Sequence, residues 1–239
     1  MINSVRNTVQ SILNKNNYGY LSPSDFNLFA QQAQLDEFEG LFNDYNNYIN
    51  KQNARTVGTG YADRLKAVAE EIDNFVVSAA LANIANNTWT LPADFYMLNK
   101  VLRNDATATY VNREMERVEH DKSTLLINSN LTPPTEDYAA YTLAGNVLTA
   151  YPATLDTAGD VVAVYVRYPL DPRWTFSSLT SGEPVFNQSQ PDYQDFELSQ
   201  SYETALVLRI LELAGVSIRE AAVVEFANRE QMGVAQEKQ

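Results

Sequence analysis

Apolar residues recur at helical spacing along the first 86 residues and give way to β-branched and aromatic runs after Asn87. Val5, Val9, Ile12 and Leu13 are separated by Asn, Arg and Gln, the pattern of an amphipathic helix. After a loop rich in Asn and Gly comes Leu21-Ser22-Pro23-Ser24-Asp25-Phe26. Ser22 suits an N-cap, Pro23 the first helical position and Asp25 a capping acid, while Leu21 and Phe26 can form a hydrophobic staple. Phe29, Ala30 and Ala33 continue one apolar face, and Phe38, Leu41, Phe42, Tyr45, Tyr48 and Ile49 resume it. The shift between Gln34 and Glu37 predicts a kink or a break. Val57-Gly58-Thr59-Gly60 reads as a turn, and Leu65, Val68, Ile72, Phe75, Val76 and Ala79 predict a third helix.

Beyond Trp89-Thr90-Leu91-Pro92-Ala93-Asp94-Phe95 the period shortens, predicting strands at 95–103 and 107–111. Residues 112–128 fit either a helix or a strand end, and Pro133-Pro134 closes them. Residues 138–143 and 147–151, joined by Gly145-Asn146, read as a hairpin. The clearest strand is 161–168, ended by Pro169. Residues 175–198 are rich in Ser, Gly, Pro, Asn and Gln and read as a long loop or arm. From Trp174 to Leu208 there is no Lys or Arg, against Glu183, Asp192, Asp195, Glu197 and Glu203. A nearly all-apolar helix at 204–213 follows, capped by Ser199 or Ser201 and stopped at Gly215. Ser217-Ile218-Arg219-Glu220 reads as a capping box for a last helix through Ala221, Val224 and Phe226, with a fraying tail from Gly233.

The order of helices, strands and helices predicts an α+β fold. A helical bundle forms from the N-terminal helices (1–87) and the C-terminal helices (199–239). A β-rich insertion (88–175) and an extended polar arm (176–198) complete one composite domain. The 204–213 helix is too apolar to stand in water, so it should pack on the N-terminal helices. Removing 176–198 is expected to leave that fold intact while impairing assembly.

Charge and chemistry narrow the function. The 239 residues carry a formal charge of −13, which disfavours phosphate binding and suits a surface past which DNA slides. No cysteine is present, which removes disulfides, thiolate metal sites and cysteine nucleophiles. Neither a signal-peptide h-region nor an apolar run long enough for a membrane span is recognisable, so synthesis in a cytosol and no membrane partner are expected. The single histidine, His120, lies in a charged stretch and reads as a surface residue. Asp156 and Asp160 flank Gly159 as turn formers rather than metal ligands. Val57-Gly58-Thr59-Gly60 lacks the Lys-Ser/Thr of a phosphate loop. No catalytic, metal or cofactor-binding residue stands out, and the chain reads as a non-enzyme.

Packing and assembly features remain. Arg167-Tyr168-Pro169-Leu170-Asp171-Pro172-Arg173-Trp174 leaves the strongest strand through two prolines to a tryptophan. Aromatic and arginine residues dominate interface hot spots. The candidate interface residues are therefore Trp89, Phe95, Arg167, Tyr168, Arg173, Trp174, Phe186, Tyr193 and Phe196.

This order of features resembles the head–tail connector proteins of tailed phages. It runs from helical start and Leu91-Pro92-Ala93-Asp94-Phe95 through the hairpin and the 161–168 strand entering Tyr168-Pro169-Leu170-Asp171-Pro172-Arg173-Trp174. It ends on Asp195-Phe196-Glu197-Leu198 and a Leu-rich helix with Ala214-Gly215-Val216. The pattern, spanning roughly 60–230, is most similar to neck ring proteins of crAss-like phages, and in outline to podoviral adaptor or tail-tubular proteins. The resemblance implies a ring of about twelve copies. Such a ring sits at the head–tail junction of the virion, between the portal protein and neighbouring neck or tail rings, with DNA passing through unbound. It implies no cofactor and no reaction. Two alternatives are a tail-associated carboxylate-based hydrolase and a host-binding module or assembly chaperone.

Overall fold

The computed structural model describes residues 1–14, 20–53, 64–104, 112–179 and 182–217, with Arg229 and Met232. Its helices are α1 (Ile2–Leu13), α2 (Pro23–Asn53), α3 (Arg64–Asp73), α4 (His120–Ile127) and α5 (Glu203–Ser217). The strands run from β1 (Val76–Ala80), β2 (Ala82–Ala85) and β3 (Thr88–Thr90) to β4 (Phe95–Arg103), β5 (Arg113–Glu114) and β6 (Glu116–Arg117). They continue with β7 (Ala140–Ala144), β8 (Val147–Tyr151), β9 (Val161–Arg167), β10 (Phe176–Ser178) and β11 (Pro184–Phe186). The fold is α+β. The turn at 57–60, the strand at 107–111, the helix from Ile218 and the tail from Gly233 fall outside the described residues.

The chain divides into two compact units, Met1–Glu71 with Pro169–Gln239, and Ile72–Tyr168. In the first, α5 packs on α1 and α2. Leu206, Ile210, Leu211 and Ala214 of α5 are fully buried, as are Ile2, Val5 and Val9 of α1 and Phe26, Ala30, Ala33 and Phe38 of α2. The start of α2 is closed by its expected cap: Ser22 Oγ accepts from Asp25 N at 3.2 Å and donates to the Asp25 carboxylate at 2.7 Å. Leu21 and Phe26 are both buried beside it. Arg209 joins α5 to α2, with Nε and Nη2 at 2.8 and 2.7 Å from Asp36 Oδ2.

Three helical expectations change. First, α2 runs unbroken through residues 34–37, because the polar residue that seemed to interrupt its inner face, Gln34, is itself buried. Second, the third helix stops at Asp73, and Val76 to Ala80 form β1, where two adjacent β-branched valines favour a strand. The sheet-bearing unit thus begins at Ile72 rather than 88. Third, α5 continues through Gly215 instead of ending there.

The arm also proves to be ordered packing. β10 pairs antiparallel with β11, and Phe196 and Leu198 are buried. Deleting 176–198 would therefore remove core residues and, contrary to the expectation from composition, is predicted to destabilise the fold.

In the second unit, sheets β1-β9-β4-β5 and β2-β3-β8-β7-β6 share one core. Trp89, Leu148, Val101, Val161 and Ala163 fill it, each fully buried. The chain passes between the sheets four times, among them at Leu81 between β1 and β2 and at buried Met115 between β5 and β6. The β7–β8 hairpin turns at Gly145 with φ +60°, a conformation that glycine adopts without a Cβ penalty. In the ambiguous 112–128 segment the order is strands and then helix: β5 and β6 flank Met115, and Thr124 to Ile127, the alternative place for a strand end, lie in α4.

Candidate interaction surface

Within the first unit, two amides on α2 organise the stretch that follows Pro169. Asn27 and Gln34 stand seven residues apart and so share one helix face. Asn27 meets the Trp174 backbone twice, Oδ1 accepting from N at 2.9 Å and Nδ2 donating to O at 3.2 Å. Gln34, 1% exposed, donates to the Leu170 carbonyl at 2.8 Å and accepts from Glu197 N at 3.0 Å. One helix thereby fixes both limbs of the segment.

Trp174 is the hydrophobic counterpart of that clamp. Its Nε1 donates to Asn3 Oδ1 at 3.1 Å, and the Arg6 guanidinium lies 3.8 Å from its ring centroid. Phe176 and Phe186 stack on it at 5.7 and 6.0 Å, and Tyr193 meets Phe186 edge-on at 5.9 Å. Burial pulls Arg6 below its ordinary pKa, with Tyr20 opposing. Its Nε has no hydrogen-bond partner among the described residues, and the tryptophan face offers the cation a favourable contact there.

Asp195 closes the same assembly at the start of α1. Its carboxylate accepts from Ile2 N at 2.7 Å, from Phe196 N at 2.8 Å and from the Met1 ammonium at 2.9 Å. A side chain distant in sequence thus satisfies a helix N-terminal donor. Burial alone would raise its pKa, but the ammonium and the two backbone N–H groups outweigh burial and hold it below the ordinary value. The stabilisation is then full above the unfolded carboxyl pKa, about 4, and is lost as pH falls through the lower folded value. Asp195→Asn should lower the melting temperature at neutral pH, and the gap from wild type should shrink as the solution is acidified below about pH 4. Thermal melts across that range check this; an unchanging gap would show that the charge contributes nothing.

The nine candidate interface residues divide between the units. Trp174, Phe186 and Tyr193 come together in one aromatic stack, and the neighbouring Arg173 pairs with Asp192 at 3.2 Å. In the other unit, Phe95 lies 5.9 Å from Tyr165, and Arg167 Nη1 donates to the Tyr168 carbonyl at 3.1 Å. Trp89, Trp174 and Phe196 are buried, each within its own unit, so their large apolar surfaces are not open to a partner. Tyr168, 41% exposed and edge-on to Tyr96 at 5.0 Å, and Arg173 are the exposed members. Asn3, Arg6, Asn27 and Gln34, which do the fastening, carried no motif that could single them out.

A cleft of about 440 Å³ opens between β4, β7 and the 114–117 segment. Lys100 and Arg117 line it with Glu114, Glu116, Leu98, Met115 and Tyr141. Burial raises the Tyr141 pKa, Arg117 opposes and Glu114 adds, so the phenol stays protonated at neutral pH. Among the described residues no group of three or more His, Asp or Glu could hold a metal ion, and no helix is long and apolar enough to cross a membrane. No protein-family model and no curated protein matches the chain.

Proposed function

We propose that the protein is a non-catalytic structural subunit. In this reading it assembles with copies of itself into a ring at the head–tail junction of a tailed phage. The ring lies between the portal protein and the adjoining neck or tail rings, around a channel for DNA. One observation carries the reading. The segments behind the connector resemblance, 168–174 and 195–198, are those that Asn27, Gln34 and Asp195 fasten to the helices. A motif used for fastening fits a building block better than a reaction centre.

The charge of −13 supports the same reading, because an acidic wall offers phosphates no cation to displace counterions and lets DNA slide. Light scattering followed by negative-stain electron microscopy tests the proposal. Closed rings of about twelve copies are expected, formed by the chain alone or on addition of the portal protein. A chain that stays monomeric under both conditions overturns it.

A further inference from the structure

The outer edges of the strands are not alike. β5 and β6 carry only charged residues, Arg113, Glu114, Glu116 and Arg117. The part of β4 not covered by β5 is broken by two register shifts and carries Lys100. β2 is interrupted by a shift between Asn83 and Ala85. β11 begins with Pro184. Charges, bulges and proline each discourage another chain from adding to an edge. Among the described strands, β1 in one unit and β10 in the other have no such guard anywhere along their length.

The ladder shows which backbone groups those edges present. Arg167 N donates to Phe75 O, and Leu81 N to Val161 O, so hydrogen-bonded pairs alternate along β1 and β9 at 75, 77, 79 and 81. The N–H and C=O groups of Val76, Ser78 and Ala80 therefore point outward, and take no partner among the described residues. In the β10–β11 pair, Asn187 N donates to Thr175 O, and Leu179 N to Glu183 O. By the same alternation Phe176 and Ser178 point outward from β10. Pro184, opposite Ser178, sits where its missing N–H would otherwise face away from the pair. Proline closes that side and leaves the β10 side open.

Side chains agree with the backbone. No Asp, Glu, Lys, Arg or His occurs from Asn74 to Ala93, or from Trp174 to Gly182. In a chain of charge −13, most faces repel a second copy, and these two strips do not. β10 is exposed along its length, with Phe176 at 41% and the following Leu179 at 52%.

We infer that β10 of one copy adds as an extra strand to β1 of the next. The two edges differ, so the contact is head-to-tail and repeats around a closed ring, with backbone hydrogen bonds supplying the join. This rests on the ring reading and names the surfaces through which its subunits meet.

Ser78→Pro and Ser178→Pro test it. Each removes one outward N–H at an edge position where proline breaks no hydrogen bond of the monomer, as Pro184 illustrates. Either change should abolish rings, reducing the scattering mass to a single chain, while the thermal transition of the monomer is kept. If a proline variant loses that transition, Ser78→Asp or Ser178→Asp places a like charge on the same exposed edge and should have the same effect. Wild-type rings that persist in folded variants overturn this contact and leave the ring reading standing. A wild-type chain that never assembles overturns both. The chain has no cysteine, so Ser78→Cys alone adds a further check. Efficient oxidation of that variant to a disulfide-linked dimer would mean that β1 meets β1 across a two-fold axis, against the proposal.

Discussion

Trp174→Ala is expected to be the most damaging single substitution in the helical unit, costing about 3–5 kcal/mol. The loss combines a large buried side chain, the hydrogen bond to Asn3 and the ring face under Arg6. Arg6 would lose its ring contact, which adds to the cavity term. Phe176 and Phe186 would lose the ring on which they stack. For a chain of this size the melting temperature should fall by roughly 10 °C. Trp174→Phe keeps an aromatic stack but not the indole N–H, and should cost only about 1–2 kcal/mol. Circular dichroism at the helical minimum reads both. The chain has two tryptophans, one per unit, so in either variant Trp89 alone reports the β unit. Its emission should remain that of a buried indole at temperatures where helical signal has begun to fall. If Trp174→Ala melts within a degree or two of wild type, the stack is decoration.

Gln34→Leu should follow, at about 2–3 kcal/mol, although leucine is apolar and close in size. The side chain is almost wholly buried, and its two ends satisfy the Leu170 carbonyl and the Glu197 N–H. Leucine supplies neither a donor nor an acceptor, so both backbone groups must find water or go without. A rule that rewards apolar residues in a buried helical position would forecast stabilisation, so the sign of the change is diagnostic. Urea unfolding, with the midpoint shift read at unchanged slope, separates the two. A higher midpoint for Gln34→Leu would mean that the clamp contributes less than the burial it displaces.

Gln34 also explains where the sequence could be read and where it could not. The α2 start was legible because Ser22, Pro23, Asp25 and Phe26 act within one turn of chain. The β7–β8 hairpin and β9 were legible for the same reason: Gly145 and the run of β-branched residues at 161–167 carry local instructions. The apparent break at 34–37 arose because periodicity counts a buried glutamine as polar, whereas its partners lie 136 and 163 residues away. Phe75, Val76 and Ala79 fit a helical spacing as well as a strand. The arbiter is the edge of β9, which no local window contains. The polar composition of 175–198 suggested an arm because its order comes from Trp174, Asn27 and Gln34, all contributed from outside the window. Among the candidate interface residues Trp89 and Trp174 are buried in the monomer, which residue type alone does not reveal.

The discontinuous make-up of the helical unit sets an order of events during synthesis. Residues 72–168 form one uninterrupted stretch and can complete their two sheets as soon as they leave the ribosome. The first two helices cannot do likewise, since Asp195 and α5, which cover their ends and faces, are made last. At about 5–20 residues per second, α1 waits roughly 10–40 seconds for the aspartate that binds its first N–H groups. Apolar collapse takes microseconds, so Val5, Val9, Phe26 and Phe38 spend that interval needing cover. The sheet unit is therefore the part of the nascent chain that is native early, and the helices are the part a trigger-type chaperone would find.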